Sequence, residues 1–287
     1  MVMQILNNFL ENKYQKKQTI IIAIFLAIFL LFIFVMYSWL RPTQTCSDGK
    51  QNQNEEGVDC GGVCGKKCEV KVITEVTVLE SGFVPSGVVN SYDVYARIAN
   101  PNNVFGSSGF QYEFTLKDSA GQIIATKKGS NYMLPGETKY VVENNLVTDQ
   151  TPDSVEFVAT NSTWVEFKDQ YEKPRLKVVN KQYNPISSGV GFSEVLGLLK
   201  NESPFDFSLI SLKIILKDSA DKVVALNLTE MRTVKSGENR DFRAVWFSRF
   251  LGEVLNVEVQ AEANVFDSES FTTKNFVPAT YRGTDYR

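Results

Sequence analysis

The stretch LKDSAGQIIA at residues 116–125 returns at 216–225 as LKDSADKVVA, 100 residues further on. In both places Lys-Asp-Ser-Ala, followed by Gly121 or Asp221, supplies hairpin-turn chemistry between two apolar runs. The run entering the first turn alternates strictly. Phe110, Tyr112, Phe114 and Leu116 fall on one side, and Gln111, Glu113, Thr115 and Lys117 on the other. The run entering the second places Leu212, Ile214 and Leu216 against Ser211 and Lys213. Further on, Leu255, Val257, Val259, Ala261, Ala263 and Val265 alternate with Asn256, Glu258, Gln260, Glu262 and Asn264. A period of two is the signature of a strand with one face on a core.

The likeness extends outward on both sides of the turn. Ile98-Ala99-Asn100-Pro101 parallels Leu199-Lys200-Asn201-Glu202, and Leu134-Pro135-Gly136-Glu137 parallels Lys235-Ser236-Gly237-Glu238. Each copy has room for about six or seven short strands, which suits an immunoglobulin-like sandwich. We therefore expect a mainly β protein with two tandem sandwiches, at 69–171 and 172–271. The polar run 169–174 ends at Pro174, which cannot continue a ladder, and marks a short, semi-rigid linker. Residues 272–287 lose the alternation and read as an irregular tail.

The ordered series of Asn100, Leu116, Asp118, Gly121, Pro135, Gly136 and Glu137 resembles the FxLYD and LEA14-like group of small β-sandwich domains. The second copy departs from that pattern at Asp221 and Ser236. The matching positions belong to turns, so the resemblance implies a fold and supplies no active site.

Upstream of the repeats, residues 19–40 (TIIIAIFLAIFLLFIFVMYSWL) carry no charge. As a helix they would span roughly 33 Å, about one hydrocarbon core. Tyr37 and Trp39 suit the interfacial aromatic belt. A cleaved signal peptide would have a shorter apolar run and an Ala-x-Ala-like site, and neither is present after Leu40. The segment reads as an uncleaved signal anchor in the bilayer. Lys13, Lys16 and Lys17 precede it and Arg41 alone follows closely, so residues 1–18 are expected in the cytoplasm and the C-terminal part outside.

Between anchor and repeats, residues 41–68 hold all four cysteines, Cys46, Cys60, Cys64 and Cys68. The C-x13-C-x3-C-x3-C spacing lacks the paired C-x2-C knuckles of a zinc ribbon. Outside the membrane, four cysteines so close together read as two disulfides, with three connectivities open. Asp48, Asn52, Glu55 and Asp59 offer hard oxygen ligands on a glycine-bearing loop, so calcium is a candidate cofactor. The competing reading makes the same residues turn formers. The run from Cys46 through Asp48-Gly49, Asn52, Glu55 and Gly57-Val58-Asp59-Cys60-Gly61-Gly62 to Cys64 is similar to a Cys-rich motif of prokaryotic surface proteins. That resemblance implies an envelope protein and no particular activity.

Composition narrows function from the other side. Net charge is −3 and histidine is absent, which argues against nucleic acid and against imidazole-based catalysis or metal binding. Phe247, Phe250 and Leu251 fall in a loop before the last strand and form a candidate partner-contact patch. Sequons stand at Asn161, Asn201 and Asn227. The leading expectation is a non-enzymatic, membrane-anchored envelope protein. Its sandwiches would bind an envelope or extracellular protein. The alternative is a structural subunit of a homo-oligomeric assembly. An extracytoplasmic enzyme would need a cleft of carboxylates or of Ser/Lys pairs that the sequence does not display.

Overall fold

The computed structural model describes residues 2–40, 46–52, 54–68, 72–168 and 171–275. The chain divides into an N-terminal part, Met1–Val70, and a body, Lys71–Arg287.

In the N-terminal part, helix α1 (Val2–Leu40) extends the expected span back through the lysine-bearing segment. Its portion Ile20–Trp39 has a mean hydropathy of 3.2 and is exposed all round. An apolar surface on every side suits a membrane anchor or a signal sequence. The loop beyond is closed by disulfides Cys46–Cys64 and Cys60–Cys68. Gly62 holds a left-handed φ of 55° there, and a Cβ at that position would collide with the Asn54 carbonyl.

The body is two sandwiches of six strands each. The first contains β1 (Thr77–Pro85), β2 (Ser91–Ala99), β3 (Phe105–Lys117), β4 (Ile123–Met133), β5 (Thr138–Val147) and β6 (Ser154–Glu166). The second contains β7 (Leu176–Pro185), β8 (Ser193–Asn201), β9 (Phe207–Lys217), β10 (Val223–Val234), β11 (Asn239–Trp246) and β12 (Asn256–Glu262). The sheets of the first run β1-β2-β5 and β4-β3-β6, and those of the second β7-β8-β11 and β10-β9-β12. All pairings are antiparallel. Relabelled by position, the two topologies are identical, as the duplicated sequence requires.

Local chemistry repeats with the topology. Asn100 is buried and donates its amide to the carbonyls of Phe105 (2.7 Å) and Leu134 (2.9 Å), while its Oδ1 accepts the Asn102 N–H. Asn201 does the same with Phe205 (2.9 Å), Lys235 (3.0 Å) and the Ser203 N–H. Each asparagine thus pins the strand-to-strand crossing between its two sheets, satisfying backbone groups that have no ladder partner. The Asp118 and Asp218 carboxylates each accept two backbone N–H groups inside their hairpins. Gly121 (φ 77°) and Asp221 (φ 60°) hold the same left-handed position.

The alternation predicted for β3 is observed: Phe110, Tyr112, Phe114 and Leu116 are buried in the first core with Val94, Ile98 and Phe157. Leu212, Ile214 and Leu216 lie in the second core. The opposite row behaves differently in the second copy. Lys213 and Ile215 are buried too, because the outer face of β10-β9-β12 packs on the outer face of β1-β2-β5. Ile215, Val223 and Leu226 meet Val84, Tyr140 and Val142 in this seam, with Tyr95 at its margin.

The tail expectation needs a correction. After a 3-10 turn (Val265–Asp267), residues Glu269–Asn275 form a short helix, α2. Phe271 is fully buried in it, stacking edge-on against Phe205 (5.1 Å) and Phe167 (6.3 Å). Asn275 holds the linker by accepting the Lys168 and Glu172 backbone N–H groups. The helical spacing was hidden because Phe271 is the apolar anchor of so short an element. The remainder of the tail, 276–287, lies outside the described residues.

Candidate functional site

Three places collect the chemistry. The first is the disulfide-closed loop. Asp59 accepts the Asp48 N–H (2.9 Å) and the Gly49 N–H (3.0 Å), and Asp48 accepts the Lys50 N–H and the Asn52 side-chain amide (both 2.9 Å). Glu55, buried, accepts the Asn52 N–H at 3.2 Å and places its other oxygen 3.2 Å from Cys64 Sγ. The four residues singled out in the sequence are therefore neighbours, and their carboxylates are turned toward backbone N–H groups of the loop itself. Cys46, Glu55 and Cys64 also cluster closely, but both sulfurs are joined in a disulfide and offer no thiolate.

The second place is an apolar tip built from three loops. Phe247 (73 % exposed) and Leu251 (83 %) project from the β11–β12 loop. Phe250 turns inward instead, packing edge-on against Phe192 (5.5 Å) and Trp246 (6.1 Å). The β1–β2 turn abuts this loop so closely that a Cβ on Gly87 would sit 2.6 Å from Ser248 Cβ. That turn exposes Val88 and Val89. The β7–β8 turn joins from the other side, the Phe192 N–H donating to the Trp246 carbonyl at 2.7 Å, and exposes Val190. Two of the three residues named from sequence thus face solvent, and three valines join them. The β8–β11 pairing places two of these loops side by side, and the seam brings the β1–β2 turn to them.

The third place was not foreseen. At one end of the seam Glu262 is buried between two buried lysines, 3.2 Å from Lys139 Nζ and 2.7 Å from Lys213 Nζ. Lys139 also donates to Asn131 Oδ1 at 2.8 Å and lies 3.9 Å over the Tyr132 ring. Lys213 donates to the Tyr140 carbonyl as well. Burial pushes the Glu262 carboxyl up, but Lys139 and Lys213 outweigh it and hold it below the ordinary carboxylate range. Burial pulls Lys213 below the ordinary lysine value against the attraction of Glu262. Burial likewise raises Glu137 nearby, although Lys139 opposes it. In sequence these residues sit in the polar rows of alternating strands and carry no mark of their burial.

The sequons separate on geometry. Asn201 is buried with its amide engaged, and Asn227 donates to the Val245 carbonyl, whereas Asn161 is exposed.

No protein-family model and no curated protein matches the chain. Among solved structures, the crystal structure of calcium binding domain CBD12 of CALX1.1 is similar at 12 % identity, covering 67 % of this chain and 83 % of that one, with a TM-score of 0.20. A likeness of that size carries no argument about binding, and function rests on the chain's own geometry.

Proposed function

We propose that this chain is a single-pass cell-envelope protein. Helix α1 anchors it with the N-terminus in the cytoplasm, and the β body outside binds another envelope or extracellular protein. The observation that carries the reading is the tip: exposed Phe247, Leu251, Val88, Val89 and Val190 on three adjoining loops. Solvent-exposed apolar side chains gathered on loops are a recognition surface. The two disulfides support an oxidising compartment, and the uncharged 20-residue segment supports membrane insertion. We read the acidic loop as a turn clasp, because its carboxylates are occupied by backbone donors.

A photo-crosslinking residue at Phe247 in intact membranes tests the binding role. One foreign protein joined at that position, and none in a Leu251→Ser background, is the expected result. A regular ladder of this chain alone would transfer the reading to a homo-oligomeric assembly. A reporter fused after Arg287 and found in the cytoplasm would overturn the topology.

A further inference from the structure

We propose that Lys139 and Asn131 condense to an intramolecular amide bond, with Glu262 as the proton-transferring catalytic residue. The reaction needs an amine, a carboxamide held against it, a base and a donor for the developing oxyanion, all away from water. Each has a named occupant. The Lys139 side chain is fully buried, and Nζ lies 2.8 Å from Asn131 Oδ1, with Cγ one bond beyond. Glu262, itself buried, reaches the same Nζ at 3.2 Å, and the lysines on either side keep it ionised, the form a base requires. The Tyr132 backbone N–H donates to Asn131 Oδ1 at 2.8 Å, polarising the carbonyl where negative charge would build. The Tyr132 ring covers the amine at 3.9 Å. Fixed proximity of this kind removes the entropic part of the barrier.

The atoms balance without an oxidant or cofactor. Glu262 takes a proton from the Lys139 ammonium. The neutral Nζ adds to Asn131 Cγ, giving a tetrahedral centre whose oxyanion faces the Tyr132 N–H. Glu262 returns its proton to Nδ2, the Cγ–Nδ2 bond breaks, and ammonia leaves. The departing ammonia takes the remaining proton from Nζ as the amide forms, so the net product is ammonium and Glu262 is returned ionised. The product ties β4 to β5, and so one sheet of the first sandwich to the other, beside the seam.

The second sandwich supplies an internal contrast. With Glu137 matched to Glu238, the equivalents of Lys139 and Asn131 are Arg240 and Arg232. Arg240 donates to the backbone carbonyls of Arg232 and Thr233. A guanidinium stays protonated and has no carboxamide to attack, so the chemistry belongs to the first copy alone.

Peptide mapping of the full-length protein, purified from membranes in detergent and digested with trypsin, decides the matter. Trypsin cuts after Lys128, Lys139 and Lys168, with no other Lys or Arg between. The expected product is a single 129–168 peptide, uncut at Lys139 and lighter by one ammonia, about 17 Da. A 129–139 peptide of unshifted mass, or an uncut peptide of unshifted mass, overturns the proposal. Asn131→Ala and Glu262→Gln, each confirmed folded by its thermal transition, are expected to restore cleavage and full mass. A folded Glu262→Gln protein that retains the mass deficit would remove Glu262 from the mechanism.

Discussion

Gln260 lies across the outer edge of β5: its Oε1 accepts the Tyr140 N–H at 2.8 Å, and its Nε2 donates to the Thr138 carbonyl at 3.2 Å. One side chain thereby imitates a rung of the ladder that a seventh strand would have provided. Lys213 donates to the Tyr140 carbonyl beside it. An open edge is a template for foreign strands, and here the second sandwich covers its start, at Thr138 and Tyr140. Gln260→Ala should destabilise the protein by about 1–3 kcal/mol, through stranded backbone groups. Thermal unfolding in detergent checks the stability, and size-exclusion chromatography checks for edge-to-edge association. Unchanged unfolding would mean that water replaces the amide at no cost.

The paired asparagines make a second prediction. Asn100→Ala and Asn201→Ala each remove a buried amide that serves two carbonyls and one backbone N–H, and Asn100 also accepts the Asn102 side-chain amide. Each should cost about 2–4 kcal/mol, and the two losses should be similar. Denaturant titration of both variants measures them. A large loss at one site and none at the other would show that the duplicated geometry is not duplicated in energy.

Asp93 gives a pH dependence of definite sign. It is buried on β2, and burial lifts its carboxyl from 3.8 to about 6, against the Asn145 N–H that bonds it. Between those values the folded protein binds a proton that the unfolded chain does not. Its contribution is therefore full below pH 3.8, declines as pH rises toward 6 and stays lost above. Asp93→Asn keeps the acceptor for Asn145 and removes the charge. It should match the parent in acid and be more stable above pH 6, by about 1–2 kcal/mol. Melting temperature against pH for both proteins is the measurement, and parallel curves would refute it.

The disulfide-closed loop separates calcium from turn chemistry. With Asp48, Glu55 and Asp59 already bonded to N–H groups, chelator should leave protease resistance of residues 46–68 unchanged, while reductant should abolish it. The two cross-links contribute on the order of 3 kcal/mol apiece to so short a segment. Protection that rises on adding calcium would reverse this reading.

Legibility followed the range of the interactions. The hairpin at Asp118, its copy at Asp218 and the alternating core rows depend on neighbours a few residues away, and they stand in the sequence as they stand in the fold. The clustering of four cysteines limited their partners, and geometry then chose Cys46 with Cys64 and Cys60 with Cys68. The seam was invisible because it joins residues far apart in the chain, 73 positions for Lys213 and Tyr140 and 123 for Lys139 and Glu262. On a strand's outer row a lysine bound for water and one bound for a buried glutamate look the same. Helix α2 was missed for a related reason: it is stable only where Phe271 finds Phe167 and Phe205.

The seam also determines how many sandwiches such a join can unite. It brings together unlike faces of two like modules, a head-to-tail contact that in principle could continue indefinitely. The corresponding faces left over do not permit it. Tyr140 and Val142 become Asp241 and Arg243 in the second copy, both exposed, and Arg243 is paired with Glu194 at 2.6 Å. Ile215 and Leu226 become Thr115 and Thr126 in the first. The contact by itself could repeat, and polar residues on the two leftover faces stop it from doing so, much as capping units terminate a solenoid.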